Sequence, residues 1–269
     1  MDKFNEWLEA LEKRHLADLR PSEVNRALRA LSTDYVQRRH RVSADALEGR
    51  GKRAAFALFY APLHYLVVRE VARELASAAA TISTVVDLGC GTGSAGAAVA
   101  GVFASSPNIL GIDRQGWTLE EAALTYRHFG LRHRVMRGDA RQVRVRRAPG
   151  TLIVAAYLVN ELDDQARDAL LEWLSGLVDG GAALLVVEPI ARSVAPWWNE
   201  WSTALRRFGA RDDEWRFTDP LPQPLRRMDR AAGLNHQARK ARTIWIEARD
   251  KKTEGQRPKD KRPQMNDER

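Results

Sequence analysis

The stretch VVDLGCGTGSAG, residues 85–96, decides the reading of this chain, because an apolar run ends on Asp87 and Leu88 and enters a glycine-rich turn. Gly91, Gly93 and Gly96 satisfy the GxGxxG spacing of a dinucleotide-binding turn. Asp113 follows 20 residues after Gly93, at the end of the next apolar run, so a nicotinamide cofactor is one reading. S-adenosylmethionine is the other. Asp87 separates them: a carboxylate at the strand end repels the two charges of a diphosphate and attracts a sulfonium and an ammonium group. The cationic cofactor is therefore expected. Gly89, Gly91 and Gly93 would let the backbone approach it closely, and Asp113 would accept from both ribose hydroxyls. Asp139, in Met136–Ala140 after the third strand, would accept from the adenine amino group. Cys90, Arg114, Ala140 and Tyr157 complete the expected cofactor set.

Outward from this turn, short apolar runs alternate with amphipathic stretches. Strands are predicted at Thr84–Leu88, Ile109–Ile112, Arg134–Arg137, Leu152–Ala156 and Ala183–Val187, with an antiparallel edge hairpin of Asn235–Arg239 and Thr243–Ala248. Helices near Ala95–Phe103, Leu119–Phe129, Asp164–Leu177, Trp197–Phe208 and Pro224–Ala232 separate most of them. This alternation predicts an α/β, Rossmann-like, seven-stranded and mostly parallel sheet over residues 81–249. Residues 1–80 read as a helical region: Phe4, Trp7, Leu8 and Leu11 have helical spacing, Pro21 opens a second helix, and Pro62 suits the first turn of another. A basic, less ordered stretch from Arg38 to Arg53 interrupts them. Residues 250–269 carry almost nothing to bury and read as a disordered basic tail.

DLGCGTG at 87–93, GID at 111–113 and GDA at 138–140 together resemble the class I S-adenosylmethionine-dependent methyltransferases over roughly residues 80–249. The resemblance implies a one-carbon transferase. A narrower one joins Tyr60 to Tyr65 (YAPLHY), DLGCGTGSAG and AAYLVNEL at 155–162, which look like the mitochondrial small-ribosomal-subunit methyltransferase-like family and its bacterial members. That family is associated with assembly of the small ribosomal subunit. The chain departs from it where a late cysteine cluster belongs, since Arg211 to Pro220 stands there instead. No metal is expected, and the single cysteine, Cys90, excludes an internal disulfide.

Ligands of open α/β sheets bind beyond the carboxyl ends of the strands, so Asn160 and Glu161 are expected to face the transferred methyl group. Asn160 would orient an acceptor, and Glu161 would take its proton or hold the methionine ammonium. The competing reading is helix capping by Asn160 or Asp163. Tyr60 and His64 complete the catalytic candidates, His64 as a base or as a packed histidine. Glu188 and Pro189 line the acceptor side or merely end a strand. Trp197, Trp198 and Trp201 read as core, with base stacking as the alternative.

The 269 residues include 43 Lys and Arg against 35 Asp and Glu, a net charge of +8. Arg127, His128, Arg132, His133, Arg134, Arg137, Arg141, Arg144, Arg146 and Arg147 make one dense run that would track phosphates or form a solvated face. RNA or a ribonucleoprotein such as the small ribosomal subunit is the favoured acceptor. The alternatives are a small-molecule acceptor under a lid formed by residues 193–217 and the N-terminal helices, and a catalytically silent assembly factor. Neither a membrane span nor a signal segment is read, so a cytoplasmic protein is expected.

Overall fold

The computed structural model describes residues 2–37, 47–76, 82–140, 145, 150–190 and 196–248. Its centre is a seven-stranded sheet in the order β3-β2-β1-β4-β5-β7-β6. The strands are β1 Thr84–Leu88, β2 Asn108–Asp113, β3 His133–Arg137, β4 Thr151–Ala156, β5 Ala183–Glu188, β6 Arg211–Phe217 and β7 Arg239–Ile246. β1 to β5 are mutually parallel, with Val86 in register with Leu110 on one side and Ile153 on the other. β4 and β5 are buried along their whole length, which is why their sequences are continuous apolar runs without alternation.

Nine α-helices among the described residues cover both faces. On one face lie α1 Lys3–His15, α2 Pro21–Gln37, α3 Arg50–Ala55, α4 Ala61–Leu75, α5 Ser94–Ala100, α6 Gly116–His128 and α9 Gln223–Ala231. On the other lie α7 Asp164–Asp179 and α8 Trp198–Leu205. α1 begins where the Asp2 side chain accepts from the Phe4 N–H (3.3 Å). It buries Phe4, Trp7, Leu8 and Leu11. Each such burial contributes about 2 kcal/mol, against tenths for helix propensity, so packing on the sheet layer holds this helix. These residues share one core with Val85, Ile109 and Leu152 of the sheet. The N-terminal helices are therefore built into the α/β unit.

Pro62 lies in the first turn of α4, as expected, although α3, a π-helical turn at Phe56–Tyr60 and α4 run on without a break. The Ala61 N–H reaches the carbonyl of Phe56, five residues back, and this widened turn directly precedes the proline, which has no N–H to give. The edge hairpin pairs β7 with β6, Arg211 opposite Trp245 and Phe217 opposite Arg239, rather than with Asn235–Arg239. RDDEWRF hid its strand because an edge strand with one solvated face has no apolar run. Part of the basic stretch from Arg38 to Arg53 is helical, in α3, while residues 38–46 lie outside the described residues. So do Arg141, Arg144, Arg146, Arg147 and the expected tail at 250–269. Trp197, Trp198 and Trp201 are core, 7%, 3% and 1% exposed. Among the described residues no helix is long and apolar enough to cross a membrane.

Candidate active site

The turn after β1 is held by its own hydrogen bonds. The Cys90 N–H donates to the Ile112 carbonyl (2.9 Å), that of Gly91 to Asp113 Oδ2 (2.9 Å), that of Gly93 to the Cys90 carbonyl (2.7 Å) and that of Gly96 to Asp87 Oδ2 (2.8 Å). Gly93 sits at φ +79°, and a Cβ there would lie 2.9 Å from Ala122 Cα of α6. Gly89, at φ +61°, would drive a Cβ to 2.6 Å from Leu158. The glycines thus let the turn pack against its own fold as much as against a ligand.

Asp87 has a different role from the one its charge suggested. It is 1% exposed, lies beneath the turn rather than on the cavity wall, and receives the Tyr126 hydroxyl (3.0 Å) as well as the Gly96 N–H. Burial raises its carboxyl to about 7, with the Tyr126 and Gly96 bonds opposing the rise. A carboxyl raised in the folded state contributes stability that is complete below its ordinary value near 3.8 and is lost as pH rises through about 7. Asp87→Asn keeps an acceptor for both donors. Its unfolding free energy is expected to shift by a few kcal/mol in the variant's favour, relative to wild type, between pH 5 and pH 8. Denaturant titrations at the two pH values measure this, and an unchanged difference would reject an ionising Asp87.

Beyond the carboxyl ends of the parallel strands lies a cavity of about 550 Å³, within the range of small-molecule sites. Every residue of the expected site lines it except Asp87 and Gly93: Gly89, Cys90, Gly91, Asp113, Arg114, Asp139, Ala140 and Tyr157 for the cofactor, Tyr60, His64, Asn160 and Glu161 for catalysis. Asp113 is aimed by two amides, Gly91 N–H on Oδ2 and Gln115 N–H on Oδ1, both at 2.9 Å. Arg137 steadies the next residue by donating to the Arg114 carbonyl (3.1 Å). The Cys90 thiol is buried and pushed well above its ordinary range, which leaves it a packing residue.

Asn160 does not cap a helix; Asp163 does, accepting from the Ala166 N–H (2.8 Å) at the start of α7. Asn160 lies in the short 3-10 turn Val159–Glu161. Its Nδ2 donates to Glu188 Oε2 (2.7 Å) and its Oδ1 accepts from the Trp197 indole (2.9 Å), so the amide is locked in one orientation. Glu188 Oε1 also receives the N–H groups of Val159 (2.8 Å) and Asn160 (3.3 Å). Burial raises the Glu188 carboxyl to about 8 against these backbone bonds. Nothing in the sequence spacing announced the link from Trp197 to Asn160, which crosses 37 positions.

Glu161 opens into the cavity. The side chain is itself exposed, yet the protein around it and nearby Asp113 lift its carboxyl to about 7, with Arg114 pulling the other way. That is a value suited to a general base near neutral pH. His64 is not: burial lowers it to about 3, and its ring lies 3.8 Å from that of Tyr157 at 15°. The imidazole is a neutral, stacked wall element. Tyr60 is tied to Ser32 of α2 through a side-chain hydrogen bond, and burial raises its phenol.

Residues 85–181, which span the glycine turn, the acids and Asn160, match the family model of a methyltransferase domain. Over those residues the chain resembles a methyltransferase domain, and its seven-stranded sheet has the class I methyltransferase fold. Mitomycin 7-O-methyltransferase MmcR is similar in structure, with a TM-score of 0.50 and 18% identity over 90% of this chain and 72% of the other. A proposed O-methyltransferase from Nostoc punctiforme PCC 73102 gives 0.51 and 14%, over 87% and 72%. The methyltransferase domain of bacterial CtHen1 gives 0.48 and 14%, over 70% and 100%. These likenesses reach beyond the matched domain only as fold. No curated protein matches the chain, so the narrower ribosomal resemblance rests on its three motifs alone.

Proposed function

We propose that this protein transfers a methyl group from S-adenosylmethionine to an acceptor seated over the ends of β4 and β5. One observation carries the reading: the turn, Asp113, Asp139, Asn160 and Glu161 converge on a single cavity, while the N–H groups of residues 90, 91, 93 and 96 are already bound within the protein. A diphosphate needs such amides free. A cationic ligand needs carboxylates, and Asp113, Asp139 and Glu161 provide them.

When bound, S-adenosylmethionine supplies a methyl carbon on a cationic sulfur; the acceptor lone pair bonds that carbon and the electron pair of the broken C–S bond stays on sulfur. Asp113 would hold the ribose hydroxyls and Asp139 the adenine. Asn160, fixed by Glu188 and Trp197, would orient the acceptor, and a Glu161 carboxylate oxygen would receive its proton. The aligned geometry accounts for most of the expected acceleration.

The RNA reading draws on Arg127, Arg132, Arg134 and Arg137, all exposed at or near β3. Against it, β3 is separated from β4 by β2 and β1, Arg127 and Arg132 lie by the amino end of β3, away from the cavity, and none of the four arginines lines it. The test is methyl-labelled S-adenosylmethionine incubated with cell extract fractionated into RNA, protein and metabolites. Label is expected in one fraction. The rate should rise with pH through about 7, as the carboxylate form of Glu161 accumulates, and Glu161→Gln should remove that rise and about a hundredfold of rate. No binding of S-adenosylmethionine by calorimetry would overturn the proposal.

A further inference from the structure

On this face of the sheet Phe4, Trp7, Phe59, Tyr65 and Tyr126 are between 0% and 7% exposed, while Phe129, Trp215 and Phe217 are half-open at separate places away from the cavity. Five further half-open rings, Phe56, Tyr60, His64, Tyr157 and His236, all line the same cavity. Half-open rings gathered on one concave wall make a surface shaped for a guest.

The backbone is bent to present them. Tyr157 has φ +56°, a left-handed conformation that strains a non-glycine residue. It is held by its N–H on the Val187 carbonyl (2.8 Å) and by the stack on His64. The π-helical turn Phe56–Tyr60 supplies two more rings: Phe56 meets His64 edge-on, centroids 6.2 Å apart at 80°, and Tyr60 approaches it at 6.2 Å and 47°. His64 carries no charge near neutral pH, so an apolar ring beside it would desolvate no ion. Of the polar groups that line the cavity, Asn160 and Glu161 are grouped with Tyr157 at the end of β4.

We propose that the half-open rings around the His64–Tyr157 stack form the acceptor subsite, and that the acceptor is a small planar aromatic molecule bearing a hydroxyl group. This rests on the methyltransferase reading above. A flat ring can lie against several of these side chains at once, each pair adding stacking to the area it buries. Its hydroxyl would reach toward Asn160 and Glu161. A saturated ring of the same size keeps the hydrophobic area and loses the stacking. That difference separates recognition of aromaticity from mere greasiness.

Calorimetric titration of the full chain, saturated with S-adenosylhomocysteine, with 1-naphthol and with decahydro-1-naphthol tests this. The aromatic alcohol is expected to bind at least tenfold more tightly than the saturated one. His64→Leu should erase the preference, and Phe56→Leu should reduce it if the His64 variant fails to fold, each measured with S-adenosylhomocysteine at a concentration that saturates that variant. Equal affinities for the two alcohols, or no binding of 1-naphthol to a chain that does bind S-adenosylhomocysteine, overturn the aromatic subsite and leave the methyltransferase reading intact. So does methyl label entering RNA in extract when 1-naphthol does not compete. Failure of S-adenosylhomocysteine itself to bind overturns the methyltransferase reading, and this inference with it.

Discussion

Asp113→Ala is expected to lower the affinity for S-adenosylhomocysteine about a hundredfold. The carboxylate is pre-aimed by the Gly91 and Gln115 amides, both at 2.9 Å, so it is ordered before a ligand arrives. Two hydroxyl bonds to an ionised acceptor, at about 1.5 kcal/mol each, amount to some 3 kcal/mol, which is two decades of affinity. Asp113→Asn retains one acceptor oxygen, and a loss nearer tenfold follows. Calorimetry on the two variants reads both values. A loss below threefold in the alanine variant would mean that the ribose lies elsewhere. NAD supplies a second arm: wild type should not bind it, because the turn offers a diphosphate few free N–H groups, and tight NAD binding would return the chain to the dinucleotide reading.

The largest loss of stability is expected from Gly93→Ala. Left-handed backbone at φ +79° costs an alanine about 1 kcal/mol. The new methyl would also lie 2.9 Å from Ala122 Cα and 3.0 Å from the Tyr126 ring, and neither can yield cheaply: one is helix backbone, the other is a buried ring bonded to Asp87. Overpacking of this kind adds about 2 kcal/mol. Some 3 kcal/mol in all should lower the melting temperature by roughly 6–12 °C. Gly91→Ala is the control. It shares the positive φ, at +51°, but its Cβ would meet nothing within 4 Å, so only the conformational cost applies. Equal melting temperatures for the two variants would refute the account of Gly93 as the contact between turn and α6.

β1, β4 and β5 were legible because buried parallel strands must be apolar on both faces, and local composition records that requirement directly. β6 was not, since its polar residues suit a strand with one wet face and equally suit a loop. The same division runs through the site. Residues next to strand ends, such as Asp113, Asp139, Asn160 and Glu161, were placed by the rule that ligands sit at the carboxyl edge of the sheet. Glu188 was visible as a position but not as the group that locks Asn160, and Trp197 was visible only as core.

The parallel strands, the turn after β1 and the acids that follow three successive strands were written in residue type and spacing, because each depends on near neighbours in the chain. Tertiary structure alone decided the order of strands in the sheet, which carboxylate faces the cavity and which supports the turn from below, since burial and hydrogen bonds from distant segments assign those places. Asp87 and Asp113 are the same residue type at the ends of adjacent strands. The first faces Tyr126 and the interior, the second the cavity, and only packing makes that distinction.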